Sequence, residues 1–331
     1  MGLSRKMSRR NLLTRSAVGA AGLFAAGKAL DAAESLTGSA GGAPEAGTVG
    51  AVTRGSIDPM RFLESFDYGA VSRLPSGQIL REYEIRAVDR EIEVAPGVMY
   101  LAWTYNGQVP GPTIRATEGD LIRVRFTNMG THPHTIHFHG FHPGKMDGVF
   151  ELVAPGETFL YEFEAAPVGL HLYHCHAIPL KKHLAKGLYG TFIVDPRRPR
   201  PPAREMVMVL NGFDTNFDGE NEIYAANTAA FAYQETPIPV RKGQLQRLYL
   251  VNVLEFDLVN SIHLHGNFFD VYRTGALTSQ EFTDTLMMCQ GERHILEFTY
   301  RETGKFMFHA HQSEFAELGW MGVFDVQEAI A

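Results

Sequence analysis

The chain is predicted to be all-β, with two sandwich domains of similar size joined by a short stiff link. Three observations carry that prediction. First, apolar and polar residues alternate with a period of two. Ile122, Val124 and Phe126 alternate with Arg123, Arg125 and Thr127; Leu248 and Leu250 with Arg247, Tyr249 and Val251; His294, Leu296 and Phe298 with Arg293, Ile295 and Glu297. Such alternation, bounded by Gly, Asn and Pro, marks half-buried strands, and many of them mean a sandwich or barrel. No long helical pattern interrupts either half. Second, Pro196-Arg-Arg-Pro-Arg-Pro-Pro202 is a break that cannot continue a sheet. Third, the halves repeat each other. Thr135-Ile-His-Phe-His-Gly140 matches Ser261-Ile-His-Leu-His-Gly266, and Gly169-Leu-His-Leu-Tyr-His-Cys-His176 matches Gly304-Lys-Phe-Met-Phe-His-Ala-His311. Gly187-Leu-Tyr-Gly-Thr-Phe192 then matches Gly319-Trp-Met-Gly-Val-Phe324. Three blocks in the same order point to one duplicated domain.

The totals agree with that plan. A length of 331 residues suits two domains, and 45% hydrophobic with 20% charged residues is an ordinary globular balance. The 33 Gly and 17 Pro suit many short strands and turns. A net charge of -7 argues against nucleic acid, whose phosphates want a basic face.

The element order begins with a leader. Ser8-Arg9-Arg10-Asn11-Leu12-Leu13 precedes an Ala/Gly-rich apolar run from Ala17 to Ala26. Paired arginines ahead of a modest apolar stretch read as a twin-arginine export signal, which places the mature protein in the periplasm or outside the cell. The expected boundaries are signal 1–33, flexible linker and N-terminal arm 34–77, first domain 78–197 and second domain 203–328. No later apolar run reaches the length of a membrane span. Of the two cysteines, Cys175 sits between two histidines and reads as a ligand, while Cys289 is expected to be a buried, inert thiol.

Histidine carries the chemistry. Eight of the 14 histidines form four His-x-His pairs: His137/His139, His174/His176, His263/His265 and His309/His311. Residues i and i+2 of a strand share a face, so each pair aims two imidazoles at one place. Imidazole is the commonest metal ligand. Eight imidazoles exceed what one metal holds, so a cluster is implied. The first half adds His134, Cys175 and His183, a cysteine and two histidines that make the trigonal set of a blue-copper centre. The repeat supplies a control. In the second half Asn260, Ala310, Phe315 and Trp320 stand where the first has His134, Cys175, His183 and Leu188. The blue set is lost there while the pairs are kept, so the two sets are separate functional units.

The stretch Tyr105-Asn-Gly-Gln-Val-Pro-Gly-Pro-Thr-Ile114, the run His134-x-x-His-x-His139 and the triplet His174-Cys-His176 resemble the multicopper oxidases. The resemblance covers roughly residues 78–328. It implies two cupredoxin-like Greek-key β-sandwich domains and four coppers per subunit. A blue site in the first domain alone is similar to the two-domain oxidases, which form homotrimers with the cluster between the first domain of one subunit and the second of its neighbour. By this resemblance His134, Cys175 and His183 hold type 1 copper. Leu188 takes the place of the usual axial methionine, which should raise the potential. His137 and His263 hold the type 2 copper, and His139, His174, His176, His265, His309 and His311 the type 3 pair. Asp147 corresponds to an acid that helps proton delivery to oxygen, and Glu314 is a second relay candidate; a plain turn aspartate is the alternative for Asp147.

The implied function is laccase-like: one-electron oxidation of a phenol, aromatic amine, metal ion or redox protein, coupled to four-electron reduction of dioxygen to water. Two alternatives stand beside it. A copper nitrite reductase shares the plan but has an aspartate where His137 stands. A copper-binding or copper-tolerance protein would want Met-rich or His-rich tracts, whereas the 12 Met here are scattered. His132, His142, His171 and His294 have no motif partner and read as structural or surface residues. Asp214-Thr-Asn-Phe-Asp-Gly219 begins like a calcium loop, but its twelfth position is Ala225, so it reads as a turn.

Overall fold

The computed structural model describes residues 58–329; the expected export signal lies outside them. The architecture is all-β, and the longest helix among the described residues runs six residues. The first domain holds β1 (Phe66–Asp67), β2 (Ala70–Arg73), β3 (Ile79–Ala95), β4 (Val98–Tyr105), β5 (Thr113–Thr117) and β6 (Leu121–Asn128). It continues with β7 (His137–Phe138), β8 (Thr158–Glu164), β9 (Gly169–His174) and β10 (Tyr189–Asp195). Helix α1 (Pro59–Leu63) precedes them and α2 (Leu180–Ala185) lies between β9 and β10. One sheet runs β1-β5-β10-β9-β7; the facing sheet runs β2-β3-β6-β8, with β4 also paired to β3. Strand β6 alternates buried Ile122, Val124 and Phe126 with more exposed neighbours, as its sequence demands.

The second domain repeats the plan. Strands β11 (Arg204–Phe213), β12 (Ile223–Ala226), β14 (Gln246–Asn252), β16 (Phe269–Arg273), β17 (Glu281–Thr283) and β19 (Arg293–Phe298) form one sheet in the order β12-β11-β14-β19-β16-β17. Strands β13 (Ile238–Arg241), β15 (Val259–Leu264), β18 (Thr285–Cys289), β20 (Gly304–His309) and β21 (Met321–Gln327) form the other, ordered β13-β21-β20-β15-β18. Short helices α3 (Ala232–Glu235) and α4 (Ser313–Glu317) cross between strands.

The domains share a core. Ile92, Val94, Tyr100, Ala102 and Leu170 of the first pack in one buried cluster with Met208, Leu248, Leu250 and Phe269 of the second. An ion-pair network reinforces the seam. Arg115 on β5 bonds Asp195 at 2.7 Å and Glu205 on β11 at 2.6 Å, while Arg247 on β14 bonds Glu205 at 3.1 Å and Glu297 at 2.6 Å. Burial pushes the Arg115 pKa down, but hydrogen bonds to Asp195 and Glu205 outweigh it and the net shift is up. This seam also corrects the reading of β14, which is buried on both faces rather than one. Its polar side, Arg247 and Tyr249, faces the network and Phe66 of the first domain rather than water.

Two further expectations are corrected. Residues 58–77 are not a flexible segment. Asp58 caps α1 by accepting from the Met60 and Arg61 N–H groups, Leu63 is fully buried, and β1 pairs in parallel with β5. A five-residue helix without apolar periodicity leaves little trace in sequence. Cys289 is exposed, not buried, because it falls on an outward position near the end of edge strand β18. The Asp214–Gly219 segment is a turn: the Asp218 and Gly219 N–H groups donate to Asp214, and Glu222 accepts from Thr215 and Asn216.

Candidate metal centres

The three residues expected to hold a blue copper converge from three places. Cys175 follows the end of β9, His183 projects from α2, and His134 sits in a β-bridge with Val153. All three are buried. The Cys175 Sγ is 3.2 Å from His183 Nδ1 and 4.0 Å from His134 Nδ1, and the two nitrogens are 3.2 Å apart. Burial, with the neighbouring imidazole adding to it at His134, lowers the His134 pKa to about 3; burial lowers that of His183 to about 4. Both rings are therefore neutral at ordinary pH, as a metal ligand must be. Burial also pushes the Cys175 thiol up, so ionising it needs a cation beside it. Two neutral imidazole nitrogens and a sulfur at mutual contact fit one soft-tolerant metal, and copper suits that donor set.

Sequence reading missed one participant. The Thr135 N–H donates to Cys175 Sγ at 3.3 Å, and its hydroxyl accepts from the His176 N–H at 2.9 Å. Its clue was the repeat, since Ser261 accepts from His311 N–H at 2.7 Å in the same way. Leu188 is buried and locked by its backbone: its carbonyl accepts from Cys175 N–H at 3.0 Å and its N–H donates to the His183 carbonyl at 3.3 Å.

Two imidazole quartets face the solvent side, and they match bond for bond. In the first, His139 Nε2 lies 3.2 Å from His174 Nε2, with the His137 ring edge-on and the His176 ring tilted beside them. In the second, His265 Nε2 lies 3.0 Å from His309 Nε2, with His263 and His311 alongside. His137 Nδ1 contacts the Asp147 carbonyl at 2.7 Å and His263 Nδ1 the Asp284 carbonyl at 2.9 Å. His174 Nδ1 contacts the Cys175 carbonyl at 2.9 Å and His309 Nδ1 the Ala310 carbonyl at 2.6 Å. Each carbonyl accepts a hydrogen bond from Nδ1–H, which leaves Nε2 free for a metal. Burial, with His174 and Arg293 nearby, lowers the His139 pKa to about 3, and burial lowers His174 to about 4. Within each domain the ligand atoms gather, but among the described residues no ring contact joins the quartets. His265 and His311 are exposed in the single chain.

Asp147 follows a 3-10 turn, Gly144–Met146, with its carboxylate 3.3 Å from His137 Nδ1 and 3.6 Å from His142 Nε2. His142 is thus no lone surface histidine; its place in the loop leading to Asp147 was the clue. Asp284 is the internal counterpart of Asp147 at His263, with a carboxylate oxygen at 4.0 Å, and sequence reading missed it because no repeated block contains it. Glu314 lies exposed in the first turn of α4, three residues beyond His311.

Comparison with known proteins agrees with this geometry. Family profiles described as multicopper oxidase match residues 88–199 and 199–329. A solved structure described as a multicopper oxidase is 54% identical, with a TM-score of 0.81, and covers 82% of this chain and 97% of its own. The blue copper oxidase of Nitrosomonas europaea is 31% identical with a TM-score of 0.67, covering 75% of this chain and 86% of that one. The copper-containing nitrite reductase of Neisseria meningitidis is 29% identical over 250 residues, 69% of this chain. The chain spans 64% of that reductase's length. Both halves matched and both histidine sets assembled, the chain belongs to the multicopper oxidase family.

Proposed function

We propose that the protein is a laccase-like oxidase that takes single electrons from a small-molecule, metal-ion or protein donor and reduces dioxygen to water. The observation that carries this is the pair of matched imidazole quartets. Copper bound at these residues supplies one-electron redox chemistry at the Cys175 set and oxygen reduction at the imidazole sets. One blue copper and a three-copper cluster, four per chain, match the ligand count. Cys175 is joined through its own peptide bonds to His174 and His176, so a few covalent bonds connect the two sets. Asp147, in contact with His137 and His142, stands where a group relaying protons to reduced oxygen is needed. Glu314 is a second, more remote candidate.

The quartets also support a cyclic homotrimer. Neither completes a cluster alone, and the exposed His265 and His311 suit a partner's first domain. Exposed Phe141 and Ile178, each two residues from a histidine of the first quartet, and Phe268, three residues past His265 and in ring contact with exposed Phe282, suit burial in such a contact. Export by the twin-arginine route to the periplasm or beyond completes the reading. Among the described residues no helix is long and apolar enough to cross a membrane.

The nitrite reductase relatives favour a second reading, reduction of nitrite at a single non-blue copper. His137, standing where those enzymes have an aspartate, supports the first reading. Copper per chain, blue absorbance, oxygen uptake and nitrite consumption on one preparation separate them. About four coppers with oxygen uptake is expected from the ligand sets. About two coppers with nitrite consumption would overturn it.

A further inference from the structure

The blue-copper residues are sealed from solvent, and that raises the question of where an electron enters. His134 is fully buried and His183 retains 4% exposure, so neither ligand ring offers an edge to a donor. What covers them is Trp103, on β4, itself 5% exposed. Its ring centroid lies 4.8 Å from that of His183 and 5.3 Å from that of His134. It also lies 4.5 Å from the ring of His132, which is exposed. Neither contact is loose. The Trp103 backbone N–H donates to the Lys186 carbonyl at 2.9 Å, which ties the strand carrying the indole to the residue that caps α2. Thr131 Oγ1 meets His132 Nδ1 at 2.9 Å and also bonds the Asp89 carboxylate, which fixes the outer ring.

We propose that His132 and Trp103 form the electron-entry route: a donor touches His132 at the surface, and the indole couples it to both ligand imidazoles. This rests on the reading of His134, Cys175 and His183 as a copper site. One electron leaves the donor and reduces one copper(II) to copper(I); any proton the oxidised donor releases goes to solvent. The indole is a bridge and is not itself oxidised. The Lys182 ammonium, 5.3 Å from its ring centroid, disfavours a positive charge on the indole. Trp103 is accordingly a positioning residue, and the route serves donors too large to enter a pocket as well as small ones.

The test uses the copper-loaded full chain, mixed under nitrogen with hydroquinone while the blue absorbance is followed. His132→Ala and Trp103→Leu should each slow reduction about tenfold, with the blue spectrum and reduction potential unchanged. Trp103→Phe, which keeps a ring, should recover part of the rate. A second readout needs no turnover. In a Trp320→Phe background Trp103 is the only tryptophan, and copper(II) added to the metal-free protein should quench its emission, with far less quenching when Cys175→Ser is added. Should Trp103→Leu fail to fold, His132→Ala decides, since that side chain is at the surface. Variants reduced at the wild-type rate with an intact blue band would overturn the route alone. A wild-type protein that binds copper without a blue band would overturn the underlying reading instead.

Discussion

At the scale of single residues, Cys175 is the most exposed to test because no other side chain can replace it. Thiolate-to-copper charge transfer gives a blue centre its colour, and the second domain has Ala310 in the matching place. Cys175→Ser should abolish the blue absorbance and leave most of the remaining copper bound; residual blue colour would defeat the assignment. Leu188 offers no lone pair, so Leu188→Met should lower the potential of that centre in a redox titration. An unchanged or raised potential would mean that Leu188 is not axial. Asp147→Asn should slow reoxidation of the reduced protein by oxygen, by about a hundredfold if it delivers the proton. Copper content should be unaffected, and an unchanged stopped-flow rate would return Asp147 to a turn role. The candidate ligands that the structure gathers were legible in sequence because metal binding demands fixed residue types at fixed spacing. Thr135, His142, Asp284 and Trp103 were not, because each acts through contacts between segments distant in sequence.

At the scale of elements, the strands were legible wherever one face meets water. Strand β6 shows its period of two and leaves one face toward water; β14 alternates in sequence yet is buried on both faces, and β10, buried almost throughout, shows no alternation. The cause is the seam between domains, which no local pattern records. Glu205 on β11 lies at its centre, accepting from Arg115, Arg247 and Tyr249. Burial raises its pKa, but the hydrogen bonds from Arg115 and Tyr249 and the Arg115 charge outweigh burial and hold the carboxyl below its usual range. A depressed carboxylate contributes stability above its unfolded pKa, about 4.3, and that stability is lost as pH falls through the folded value. Glu205→Gln should therefore destabilise at neutral pH by about 3 kcal/mol, the low end for a buried pair because the side chain keeps 22% of its exposure. The gap from wild type, measured by denaturant unfolding, should narrow below about pH 4. A gap constant across that range would show that the ionised form contributes nothing.

At the scale of the whole molecule, duplication explains both what is shared and what is not. Each domain carries the same quartet with the same carbonyl partners, and only the first adds the Cys175 set. The repeat was visible in sequence as three blocks, whereas the sharing of a cluster between subunits was implied only by the family resemblance, since strand spacing says nothing of how domains dock. The central claim is that two copies complete one cluster, and a mixing experiment tests it most directly. One variant carries His137→Ala and His139→Ala; the other carries His309→Ala and His311→Ala. Each alone should be inactive. Co-expressed in equal amounts, they should regain oxygen uptake at about a quarter of the wild-type rate, because that share of head-to-tail contacts pairs an intact first domain with an intact second. If the cluster forms within a chain, every chain in the mixture is damaged, and no oxygen uptake above that of the separate variants would contradict the account.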